Sequence, residues 1–266
     1  MSFDFLPERL FPAHRLALLA DRWVLRAAGG ATPIEVEFDG DTPLPALETL
    51  LEKNNVSGRL RITLSHHHVR LFLAPAPPAW LNREEMLAWI GATLATTLGG
   101  LGDKSGGWQL AWDITPPGQP IVVAAVAETL SAGINALCHK RGIKLIGMRP
   151  WLAETWRRRS GQLAHATGWY ALLEPGSQIL LRLRRGRPVA LRQRQTGADP
   201  AAELEALLAR ESLLADLPVG GPLWLERTGA GLDRERISEK LAARLGGRYA
   251  LHELAGPTDI AQAMLQ

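Results

Sequence analysis

The chain has one cysteine, Cys138, in 266 residues, so no disulfide can form within it, and the folded state has to be held by packing alone. Inside a predicted helix, that thiol reads as a small core residue rather than a nucleophile. Long apolar runs are also missing. Stretches such as 121–127 stop far short of the about 18 consecutive apolar residues that a membrane-spanning helix needs. The opening Met1-Ser2-Phe3-Asp4-Phe5-Leu6-Pro7 has neither the basic start nor the apolar run of about 7–15 residues of a secretory signal. The expectation is therefore a cytoplasmic protein that crosses no bilayer.

What is present is a chain that is 46% hydrophobic, long enough for one large domain or two of about 100–150 residues. The net charge of +3 is carried by arginine runs, Arg157-Arg158-Arg159 and the group Arg182, Arg184, Arg185 and Arg187. No aromatic interleaving or nucleic-acid motif accompanies them, so they read as a solvated helix end and hairpin, and no nucleic-acid partner is expected. The nine tryptophans are scattered along the chain and read as packing residues. His66-His67-His68 suggests a metal, but on extended chain at most His66 and His68 share a face. No further ligand follows at metal spacing, so this stretch reads as an exposed turn. His139, His165 and His252 lack a nucleophile or carboxylate at a recognisable spacing, and no catalytic residue is assigned.

The pattern predicts a hairpin at 15–19 and 22–26, then a strand at 34–38 and a helix at 43–53 that Pro43 opens. A further strand pair is predicted at 59–64 and 69–73. Asn82 reads as the N-cap of a helix over 83–98, with Glu84 and Glu85 set against its dipole and a glycine-rich stop at 99–102. Strands at 108–114 and 121–123 follow, then a helix to about 141, a strand at 143–148, and a helix from Pro150 to Arg159 that bridges two lobes. The second lobe is a meander of strands at 169–173, 178–183 and 188–192. After it come a helix at 199–214, a strand at 223–227, a helix at 233–245, a strand at 248–252 and a helix from Pro257. The order is βββαβαβα, and the first lobe starts in the same way. The chain thus reads as an α/β protein with a first lobe at 1–152, interrupted by an insertion near 66–141, and a second lobe at 153–266.

A βββαβαβα unit used twice resembles the two-lobed actin-like, ribonuclease H-like fold of actin, Hsp70 and sugar kinases. Within that group the chain resembles the PilM and GspL families of bacterial type IV pilus and type II secretion platforms. Leu64-Ser65, Val69-Arg70, Trp80-Leu81, Glu84-Glu85, Trp112, Ala124-Ala125-Val126, Gly142-Ile143, Leu145-Ile146 and Pro150 carry the resemblance. It implies an actin-like adaptor at the inner membrane that binds the cytoplasmic segment of a bitopic subunit, and it leaves room for a homo-oligomer.

The resemblance also implies where ATP and magnesium would sit. Two hairpin turns of the fold hold phosphates with glycines and hydroxyls, whose backbone N–H groups reach an anion where side chains are absent. The first turn here would be Leu19-Ala20-Asp21-Arg22, without glycine or serine, and Asp21 is the one acid placed for magnesium. The second would be Glu174-Pro175-Gly176-Ser177, where proline removes a donor and Glu174 adds negative charge. The adenosine motif would fall on Gly229 and Gly231, which are also ordinary turn residues. Two of these three motifs are eroded, so the expectation is a pseudo-ATPase without a cofactor or a very weak nucleotide binder, the alternative being an ATP-hydrolysing member of the same machinery. A ribonuclease H-type nuclease would need clustered carboxylates for two metals, and 169–192 carries only Glu174. Finally, Phe3-Asp4-Phe5-Leu6-Pro7 followed by Arg9 resembles the amino-terminal peptide by which PilN-type subunits dock on their actin-like partners. This segment is expected to pack in its own groove or to engage a neighbouring chain.

Overall fold

The computed structural model describes residues 12–30, 32–39, 42–78, 81–97, 107–113, 118–215, 220–228, 234–254, 261 and 264–265. The first half runs β1 (His14–Leu18), β2 (Arg22–Arg26), β3 (Ile34–Glu37), α1 (Pro43–Lys53), β4 (Arg59–Leu64), β5 (Val69–Ala74) and α2 (Arg83–Thr97). It continues with β6 (Trp108–Trp112), β7 (Ile121–Ala127), α3 (Glu128–Lys140), β8 (Lys144–Pro150) and α4 (Trp151–Leu163). The second half runs β9 (Gly168–Glu174), β10 (Ser177–Arg184), β11 (Arg187–Gln195), α5 (Pro200–Leu214), β12 (Gly221–Arg227), α6 (Arg234–Leu245) and β13 (Tyr249–Leu254). The segment from Phe3 to Arg9, the glycine stretch at 99–102, Gly229, Gly231 and the start of the helix expected from Pro257 lie outside the described residues.

Two five-stranded sheets share one topology, β3-β2-β1-β4-β8 and β11-β10-β9-β12-β13. In each, the first strand pairs antiparallel with the second and parallel with the fourth, as in Leu16 opposite Leu25 and Ile62, and Ala171 opposite Leu180 and Leu225. The repeated unit is thus a repeat of topology, carried by strand order rather than by residue identity. Between β4 and α3 of the first copy stands a third sheet, β5-β7-β6.

Local chemistry explains the joints. Asn82 Oδ1 accepts from the N–H groups of Glu84 (2.9 Å) and Glu85 (3.0 Å), and Glu85 Oε2 accepts from the Asn82 N–H at 2.8 Å, a reciprocal capping box that opens α2. The β10–β11 connection has Arg185 and Gly186 at φ +51° and +74°, the double positive φ of a type I′ turn that follows strand twist. The β9–β10 turn sets Pro175 before Gly176 at φ +74°, the arrangement of a type II turn.

The second sheet is buried on both faces. Trp169, Ala171, Leu173, Leu180, Leu223 and Leu225 pack with buried residues of α5 and α6, whereas Tyr170, Leu172, Ile179, Leu181 and Leu183 join the core of the first half. Such near-continuous apolar strands are what a doubly covered sheet requires. Helix α4 is fixed to this sheet by charge. Glu226, fully buried, lies 3.1 Å from Arg159 Nε and accepts from the Tyr170 hydroxyl at 3.0 Å. Burial and the Glu226 charge push the Tyr170 phenol well above its ordinary range, so it stays a donor. The arginine run is therefore more than a solvated helix end, because Arg158 also lies over the Trp151 ring at 4.6 Å.

Three sequence expectations change. Strands β4 and β5 do not form a pair: β4 lies parallel between β1 and β8, and β5 pairs antiparallel with β7. Alternation identifies a strand but not its neighbour. Strand β7 runs on through Ala124, Ala125 and Val126, because pairing with β5 on one edge and β6 on the other overrides the helical preference of alanine. Helix α4 continues to Leu163.

Beside β11, β5 takes its hydrogen bonds from a side chain. Gln193 Oε1 accepts from the Leu71 N–H at 2.7 Å, and its Nε2 donates to the carbonyls of Val69 (2.8 Å) and His66 (2.7 Å). Gln193→Leu keeps the volume but strands these backbone groups. The expected result is a loss of about 1–3 kcal/mol, read as a lower denaturant midpoint at unchanged slope.

Candidate functional site

The β1–β2 turn and the β9–β10 turn are the two places where the sequence suggested a phosphate cradle. In the first, the Asp21 carboxylate is mostly exposed and pairs with Arg22 Nε of its own hairpin at 3.2 Å. In the second, Ser177 is buried and its hydroxyl is 3.5 Å from the Arg194 carbonyl, while Gly176 supplies the positive φ. Gly229 and Gly231 lie outside the described residues.

The two turns are joined by the histidine turn that follows β4. His68 Nε2 donates to the Leu19 carbonyl at 2.6 Å, and His67 Nε2 donates to the Pro175 carbonyl at 2.8 Å. These contacts put a proton on Nε2 of both rings. The His67 ring covers Gly176 so closely that a Cβ there would lie 3.0 Å from His67 Cε1. His66 points inward and is wholly buried against Glu174, its Nδ1 2.8 Å from Glu174 Oε1. This is ion-pair distance, although the N–H is not aligned well enough for a hydrogen bond, and Nε2 also has no partner among the described residues. Aligned bonds to the carboxylate come from elsewhere in the same turn, the His66 backbone N–H at 2.8 Å and the Ser65 hydroxyl at 3.1 Å.

The histidines are thus not an exposed turn as expected but a bridge between the halves. Among the described residues no group of three or more metal-ligating side chains assembles. Burial pushes the Glu174 carboxyl up, but the charge and proximity of His66, with His67 behind it, outweigh that and hold it below the ordinary value of 4.5. The sequence drew notice to Glu174 and to the three histidines separately. A gap of 108 residues hid that they are one feature. Cys138 is buried as expected, with its thiol pushed up by desolvation.

A groove of about 790 Å³ opens on another side of the molecule. Its floor is the face of the third sheet turned away from α2, with Leu71, Val122 and Ala124, and its walls are Leu152 and Trp156 of α4 and Leu181 of β10. Arg149 and Arg157 at its rim share Glu154, each at 3.3 Å. Strand β6, whose Ala111 and Trp112 line this groove, pairs only with β7 among the described residues. Sequence patterning marked its strands and helix but not their convergence.

No family model matches the chain, and no curated protein sequence matches it. Solved structures do. A Bacteroides thetaiotaomicron protein with an actin-like ATPase fold and unknown function superposes at a TM-score of 0.64, with 11% identity over 98% of each chain. This chain has the actin-like ATPase fold. A chain of a PilM–PilN type IV pilus biogenesis complex shares that fold at a TM-score of 0.59, with 13% identity over 91% of this chain and 88% of that one. The cytoplasmic domain of EpsL, an inner-membrane component of the Vibrio cholerae type II secretion system, is 15% identical over 95% of this chain and 91% of its own, at a TM-score of 0.45. The histidine turn of this chain spans its β1–β2 and β9–β10 turns.

His66→Ala empties the buried space against the Glu174 carboxylate and should cost about 1–3 kcal/mol in chemical denaturation. Because the folded Glu174 carboxyl sits below its unfolded value, its contribution is fully present above 4.5 and is lost as pH falls through the folded value. Glu174→Gln should flatten that acid limb of the stability profile, and an unchanged limb would assign it to other carboxylates.

Proposed function

We propose that this chain is a non-hydrolysing actin-like adaptor, cytoplasmic and peripheral to the inner membrane, that binds the cytoplasmic segment of a bitopic subunit of a pilus or secretion platform. The observation that carries the reading is the histidine turn. A phosphate cradle needs free backbone N–H groups and open space over glycine, but the His67 ring covers Gly176 and the histidine turn bonds to both hairpins. Asp21, the one acid placed where magnesium could sit, is paired within its own hairpin.

The groove supplies what a docking site for an extended segment needs. Its apolar floor can take side-chain anchors, and the outer edge of β6 offers main-chain groups for an added strand. The shared fold with a PilM–PilN chain supports this choice of partner. Among the described residues no helix is long and apolar enough to cross a membrane, which fits attachment through a partner.

Calorimetric titration of ATP with magnesium, paired with a melting curve, tests the first half of the proposal. The expected result is neither heat nor stabilisation at about millimolar ATP, and saturating stabilisation would instead establish a nucleotide-binding protein acting through Asp21, Gly176 and Ser177. For the second half, synthetic peptides of the cytoplasmic segments of bitopic subunits encoded beside this chain are titrated by anisotropy. Binding that Ala111→Arg, an exposed change in the groove wall, weakens at least about tenfold supports the groove. Binding indifferent to that change places the docking site elsewhere.

A further inference from the structure

Across the third sheet, Leu71 of β5, Ala124 of β7 and Ala111 of β6 stand in one register row, and all three line the groove. Ala111 is exposed on β6, whose outer edge has no partner strand among the described residues. A strand added to that edge has room for a bulky side chain beside the two alanines. With Leu152 and Trp156 as wall, the groove suits an occupant that is apolar at alternate positions.

The rim has a different chemistry. Three arginines line the groove, Arg149, Arg157 and Arg187, against one carboxylate, Asp113. Arg149 and Arg157 both draw on Glu154, so two guanidinium groups share a single negative charge. Arg187 is exposed and pairs with no acid. Directly opposite it across the β10–β11 hairpin stands Arg184, also exposed and also without an acidic partner. Like charges facing each other across a strand pair repel, and a carboxylate brought between them turns that repulsion into two attractions. The planar fork of each guanidinium matches a carboxylate in shape as well as in charge.

We infer that the segment docking in this groove is acidic as well as apolar, an extended stretch whose alternate side chains fill the floor and whose adjoining Asp or Glu pairs with Arg187 and Arg184 at the hairpin end. This rests on the groove being the docking site. The arginines then select among segments and speed their encounter, and a segment with Lys or Arg beside its anchors is turned away. A bilayer surface is the other anionic partner that a basic rim could meet. It is flat and leaves the floor between α4 and the third sheet uncovered, whereas a segment in the groove meets both floor and rim.

The test uses the full chain and the synthetic cytoplasmic segments of the neighbouring bitopic subunits, each made also with Asp and Glu exchanged for Asn and Gln, and with both exchanged for Lys. The expected result is that the segment that binds carries an acid, that its lysine form binds at least about tenfold more weakly, and that Arg187→Glu weakens the acidic form at least about tenfold. In Arg187→Glu the lysine form should bind more tightly than the acidic form, a reversal that loss of fold does not produce. Because the change relieves the Arg184 repulsion, this variant should melt no lower than the parent. Equal affinity of the acidic and amide forms, or of parent and Arg187→Glu, overturns the inference, and if Ala111→Arg still weakens binding, the groove reading stands without it. Binding by none of the segments fails both. Cosedimentation with phosphatidylglycerol vesicles that Arg187→Glu abolishes, with peptide affinity unchanged, assigns the arginines to a membrane surface and also overturns it.

Discussion

A carboxylate shut off from water must find its donors inside the protein, because an uncompensated buried ion costs several kcal/mol. Glu174 finds the imidazole, a backbone N–H and a hydroxyl in one turn of the other half of the chain. Those bonds cannot form unless β4 of the first sheet ends beside the β9–β10 hairpin of the second. The relative setting of the halves therefore depends on this pair. Gln193, which bonds β5 and the same histidine turn from β11, adds three hydrogen bonds to the same junction.

The proposed lack of a phosphate cradle rests on space as well as on residue type. A glycine in a turn is useful to an anion only if its open face stays open. Here His67 lies over Gly176, and the carbonyls of Leu19 and Pro175 turn toward imidazole donors. Both hairpins bond to the histidine turn. An apolar groove opens beside β6, whose outer edge has no partner strand among the described residues.

Much of the fold was legible because it is written in local rules. The alternation in β9 and β10, the Asn82 capping box, the Pro175-Gly176 turn and the order of helices and strands all depend on neighbours within a few residues. The meander of the second half could be read almost residue by residue. The histidine turn could not. Three polar residues in a row between two strands look like surface, and only the carboxylate 108 residues later makes burial of the first of them possible. Similarly, β4 and β5 look like a hairpin in one dimension, yet they belong to different sheets.

The sequence by itself determined that the chain is α/β, that its stability rests on packing without disulfides, that its strands and helices follow one order twice, and that its β1–β2 turn carries neither glycine nor serine. Tertiary structure decided where the hairpin turns point and which side chains cover them. The reason is physical. Periodicity and capping are short-range and repeat along the chain, whereas the partners of a buried charge and the walls of a cavity are set by which surfaces come together once the sheets have packed.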